Sequence, residues 1–137
     1  FNPSNKDIYF SVGGHPAFAV PIVSQNTYED YFLEFSANET LKRYPLTPEG
    51  LVIDEPIAVP QSENRIYLTK ELFYEDALVF KNLKSDSVIL KTNKSNRQLK
   101  FDFAGFPFLG IWAAKNADFV CIEPWCGIAD AANHNQE

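Results

Sequence analysis

The chain has 137 residues, with 12 Lys and Arg against 18 Asp and Glu and a net charge of −6. That length suits one compact domain with a real core, and 45% apolar against 22% charged residues is globular rather than disordered composition. The acidic balance argues against nucleic acid or an anionic membrane surface as partner, since both need a basic footprint, and no apolar run approaches the ~20 residues of a membrane span.

Aromatics are abundant, with 12 Phe, 6 Tyr and 2 Trp. They favour strands and also line sugar or ligand clefts. Phe1-Asn2-Pro3 reads as the approach to a strand, which suggests an internal fragment of a longer protein. Ile8, Phe10 and Val12 share one parity and predict a strand. It runs into Gly13-Gly14-His15-Pro16, where two glycines allow close backbone approach and Pro16 biases His15 to extended geometry. His15 therefore stands where a strand has just turned, with small neighbours that leave room for a ligand; a solvated loop histidine is the plainer alternative.

Phe18 to Val23 is apolar and bounded by prolines, and Tyr28 to Phe35 predicts the next strand, with Tyr31, Leu33 and Phe35 on one face. Pro45 and Pro48 exclude a central strand around them. Thr69 to Asp76 is the one plausible helical turn or two, with Thr69 as cap. Asp76 then precedes the apolar run Ala77 to Phe80 at once, as a carboxylate at a strand mouth or a simple turn residue. Val88 to Leu90, the alternating Leu99, Phe101 and Phe103, and Leu109 to Ala113 predict further strands. Asn38-Glu39-Thr40 and Asn93-Lys94-Ser95 match the glycosylation sequon, a pattern common by chance.

The last strand, from Phe119, ends in Glu123, followed by Pro124 and Trp125. Pro124 lacks an N–H and is expected to stop the ladder there. A glutamate between a buried strand and a large aromatic ring is costly unless something uses it. Cys121 and Cys126 are too few for a disulfide framework, and zinc would need two more ligands, with only His15 and His134 on offer. The expectation is two reduced cysteines, no metal and no cofactor. Many short strands with almost no helix point to an all-β antiparallel sandwich or barrel.

Two segments carry a resemblance. Gly13-Gly14-His15-Pro16-Ala17-Phe18 and Cys121-Ile122-Glu123-Pro124-Trp125-Cys126-Gly127 resemble the aldose 1-epimerase (galactose mutarotase) family, in particular its bacterial aldose 1-epimerase-like branch. Leu72 to Leu83 and the Phe106 to Trp112 pattern fit the same branch. The resemblance implies a large antiparallel β-sandwich holding a sugar in an open cleft. Residues 1–137 would be a central to C-terminal portion of one such domain, with a sugar-binding arginine expected ahead of Phe1.

Carried over by motif, Glu123 is similar to the family's general base and His15 to its general acid. Asp76 falls near a sugar-contacting aspartate, with a looser match. Trp125 is the first candidate to stack on the sugar, with Phe18 and Phe106 as lesser ones for which core packing is the plainer reading. The implied activity is interconversion of α and β anomers of a hexose, in the cytoplasm, with a small-molecule sugar as partner and neither nucleic acid nor membrane. The alternatives are a non-catalytic carbohydrate-binding protein and a hexose-phosphate mutarotase. The latter would need a basic pocket, for which Arg43, Arg65, Lys70 and Lys81 are scattered candidates.

Overall fold

The computed structural model describes residues 2–134. Phe1, the start of the expected strand approach, lies outside the described residues. Ten strands follow one another as β1 (Ala17–Ala19), β2 (Tyr31–Phe35), β3 (Lys42–Arg43), β4 (Ile57–Ala58), β5 (Arg65–Tyr67), β6 (Leu78–Lys81), β7 (Ser87–Thr92), β8 (Leu99–Asp102), β9 (Phe108–Trp112) and β10 (Phe119–Trp125). They form one sheet in the order β1-β10-β9-β6, a second in the order β5-β2-β7-β8, and a ribbon of β3 and β4. Every named pairing is antiparallel.

Alternation in each strand sends one set of side chains into the space between the two larger sheets. The second sheet contributes Leu33, Phe35 and Leu90, and the first contributes Phe80, Ile111 and Ile122, all buried in a single core. Phe35 and Phe80 meet edge to face across it, with ring centroids 5.9 Å apart. The ribbon attaches to the edge of the first sheet, where the Tyr44 N–H donates to the Val79 carbonyl at 2.8 Å. Among the described residues no helix is long and apolar enough to cross a membrane.

Several expectations need correction. Ile8 to Val12 forms no strand: Tyr9 and Phe10 are 92% and 82% exposed. Alternation alone makes no ladder, and here no strand lies alongside; only Val12 is tied down, its carbonyl accepting from Cys126 N–H at 2.8 Å. Tyr28–Asp30 is a 3-10 turn rather than the start of β2, with Asp30 accepting from the Thr27 N–H at 2.9 Å. The helical turn expected from Thr69 is 3-10 over Lys70–Phe73, and the Thr69 side chain makes no capping bond. The strand Arg65–Tyr67 was not read from the sequence, because a three-residue strand carries too little alternation to be seen.

The outer face of β2 carries a charged cluster. Glu34 accepts from Lys91 Nζ at 2.6 Å and from Arg65 Nε at 2.7 Å. The Lys91 hydrogen bond, opposed by burial and reinforced by Arg65, holds the Glu34 carboxyl below its usual range. A depressed carboxylate stabilises the fold above its unfolded pKa, and that contribution is lost as pH falls through the folded value. Lowering the pH from about 6 to about 3 should therefore shift the urea midpoint more in the parent protein than in Glu34→Gln. Equal shifts in the two would show that this cluster contributes nothing to acid sensitivity.

Candidate active site

Strand β10 divides its side chains between two faces. Ile122 and Val120 enter the core, so Cys121, Glu123 and Trp125 project from the opposite face. Pairing with β9 sets Trp112 opposite Cys121 and the bare Gly110 opposite Glu123. Pro124 does not stop this strand, as the sequence suggested it would: β10 runs through it to Trp125. The Pro124 carbonyl accepts from the Gly14 N–H at 3.0 Å, so its nitrogen faces the segment ahead of β1, where no regular ladder is broken.

The same segment delivers the histidine. The Gly14 bond on one side and the Ile122 N–H donating to the Pro16 carbonyl at 3.2 Å on the other clamp His15 over β10. His15 Nδ1 lies 2.6 Å from Glu123 Oε2. The histidine side chain is 64% exposed and that of Glu123 only 6%. A buried carboxylate needs a partner, and here the partner is an imidazole open to solvent. With Nδ1 turned to Glu123, the second ring nitrogen lies 3.9 Å from Cys121 Sγ. Burial first, and the Glu123 charge second, push the Cys121 thiol up to about 11, so it stays protonated near neutrality. Trp112 adjoins the histidine, the two rings 6.0 Å apart and tilted by 36°.

Trp125 lies flat because two glycines let it. A Cβ on Gly110 would sit 2.5 Å from the six-membered part of the indole, and one on Gly13 would sit 2.6 Å from its Cδ1. Trp125 also forms one wall of an apolar cleft of about 270 Å³, closed by Leu46, Val52, Val79 and Ile128 among others.

The other sequence candidates lie elsewhere. Phe18 points into the core side and meets Phe101 edge to face at 5.9 Å, so it packs the two sheets together rather than facing Glu123. Phe106 sits in the turn between β8 and β9. Since Phe108 pairs with Trp125, that turn lies beyond the Trp125 end of the sheet, away from Glu123. Asp76 precedes β6, two strands across from β10 and so ~10 Å away by strand spacing. Its carboxylate accepts from the Ala77 N–H at 2.6 Å, and no ion pair joins it to His15 among the described residues. Arg43, Arg65, Lys70 and Lys81 each pair with a different carboxylate, those of Glu75, Glu34, Asp118 and Asp54. Sequence reading did not single out Cys121 or Trp112 for this site. Only pairing, which no local pattern encodes, places them beside His15: the β9–β10 register brings in Trp112, and the bonds of Gly14 and Pro16 to β10 bring His15 to Cys121.

No family model matches the chain. Solved structures do. A galactose mutarotase related enzyme from Lactobacillus acidophilus matches with a TM-score of 0.76 at 33% identity, over 92% of this chain and 43% of that one. A galactose mutarotase-like protein from Lactobacillus casei matches with a TM-score of 0.78 at 26% identity, over 91% of this chain and 44% of that one. The chain belongs to the galactose mutarotase-like proteins, as an incomplete portion of their all-β fold. Among curated proteins, the chromosomal protein LacX of Lactococcus lactis subsp. lactis is 38% identical over 129 residues, 92% of this chain. The chain spans 43% of that relative's length.

The glycine platform makes a sharp test. Gly110→Ala and Gly13→Ala should each lower stability in urea by about 1–3 kcal/mol through displacement of Trp125. Gly14→Ala should be far milder, since its added Cβ would meet nothing closer than 3.5 Å. Equal losses at all three positions would assign the effect to glycine flexibility instead.

Proposed function

We propose that this chain carries the acid–base pair of a sugar mutarotase, as a central to C-terminal portion of a single mutarotase-like domain. One observation carries the reading: an exposed histidine held 2.6 Å from a buried glutamate on the open face of the sheet, beside two tryptophans. Anomer exchange handles two oxygens bonded to the same carbon, the C1 hydroxyl and the ring oxygen. Groups serving both must themselves be close. Glu123 takes the proton from the C1 hydroxyl, His15 as imidazolium gives its Nε2 proton to the ring oxygen, and the C1–O5 bond opens to the aldehyde. Rotation about C1–C2 and reversal of the two transfers close the other anomer. Trp125 and Trp112 offer apolar ring faces to the sugar.

The L. acidophilus neighbour is described as a galactose mutarotase related enzyme, which supports a free hexose as substrate. The four cations that a phosphate pocket would draw on are each tied to a carboxylate, which favours an unphosphorylated sugar. The test is polarimetry of freshly dissolved α-galactose and α-glucose with the full-length gene product. The parent should speed equilibration, and Glu123→Gln and His15→Ala should each slow it ~10²–10⁴-fold. Sugar binding without acceleration in the parent would instead identify a non-catalytic carbohydrate-binding protein.

A further inference from the structure

The donor atoms around His15 also have the chemistry of a metal site. We propose that His15 Nε2 and Cys121 Sγ bind a borderline-soft divalent cation of the Zn²⁺ kind, with water filling its other two positions and Glu123 gripping the imidazole from its other nitrogen. Tetrahedral Zn²⁺ bound through one nitrogen and one sulfur separates these atoms by about 3.6 Å. They stand 3.9 Å apart here, so a small adjustment seats the ion. One donor atom from each of His15, Cys121 and Glu123 lies within 4.8 Å of the others. The carboxylate on Nδ1 directs the free lone pair of Nε2 towards the sulfur, the arrangement that second-shell carboxylates impose on metal-binding histidines. Thiolate with imidazole selects zinc-like ions over Mg²⁺ or Ca²⁺. The exposed imidazole edge provides the entry path. Binding replaces the thiol proton, which leaves to solvent; no electrons move.

The sequence counted against a metal, because Cys121 and Cys126 would need two further ligands and only His15 and His134 were on offer. The fold separates them: Cys121 is buried beneath His15, and Cys126 is exposed and stands outside this cluster. A bound cation occupies one nitrogen of His15 and fixes Glu123 as an acceptor, so it stops anomer exchange. That inhibition rests on the mutarotase reading; the binding itself does not.

Titration of the full-length gene product with Co²⁺, as a spectroscopic stand-in for Zn²⁺, should produce a thiolate-to-cobalt charge-transfer band that Zn²⁺ bleaches. Cys121→Ala should abolish the band and Cys126→Ala should keep it. His15→Ala should abolish it as well, with far-UV circular dichroism checking that the variant stays folded, since it takes the partner from the buried Glu123 carboxylate. Glu123→Gln should weaken Co²⁺ binding ~10–100-fold. Absence of the band in the parent, or a band that follows Cys126, overturns the site. Polarimetry with and without Zn²⁺ separates the two readings. A band without anomer exchange in the metal-free protein leaves the metal site standing and sinks the mutarotase. Exchange without a band does the reverse, and exchange unaffected by bound Zn²⁺ overturns the inhibition.

Discussion

Strand β10 is held on both sides, by β1 and by β9, so its register is fixed. That constraint decides everything on the site face. With side chains alternating, a slip of one residue would send Glu123 into the apolar core and turn Ile122 out to water. Both errors are expensive, one as a buried unpaired charge and the other as lost burial. The core therefore positions the carboxylate, and the carboxylate in turn draws His15 over the strand. Core and site are two faces of a single ladder.

Much of this was legible. The strands β6, β7, β9 and β10 were visible as apolar runs bounded by turns, and β8 as clean alternation, because buried strands in a sandwich need those patterns. The choice of His15 and Glu123 as acid and base came from the family resemblance of their motifs, not from any periodicity, and their contact was not foreseen. What local reading missed was pairing. Ile8 to Val12 has the alternation of a strand and no neighbour to make it one. Pro124 looked like a terminator and is an interior residue, because its nitrogen faces a stretch where β10 has no regular partner. Phe18 and Phe106 shared the motif neighbourhood of the site residues, yet parity turned one to the core and register carried the other past the sheet end. Sequence order records which residues alternate; it does not record which residues face each other across a ladder.

The cations show the same separation of composition from placement. Lys70 sits over the Tyr28 ring at 3.8 Å while pairing with Asp118, and Lys81 sits over Tyr44 at 4.2 Å while pairing with Asp54. Their stems cover aromatic surface and their charges are answered locally. These basic groups thus fasten loops to strands. The face around Glu123 is left with a glutamate, a histidine, a cysteine and aromatic rings.

The platform of Gly13 and Gly110 has one more consequence. The chain has 2 Trp, Trp112 and Trp125. Trp112 adjoins His15, and Trp125 lies against the glycines beside Glu123. All of its indole emission therefore originates on one face of one sheet. A sugar settling on that face, or a change in the charge of His15, alters the surroundings of both fluorophores at once, while events in the core or on the β2 cluster leave them largely dark. The fold has built an optical probe into the cleft, with no background from elsewhere in the chain.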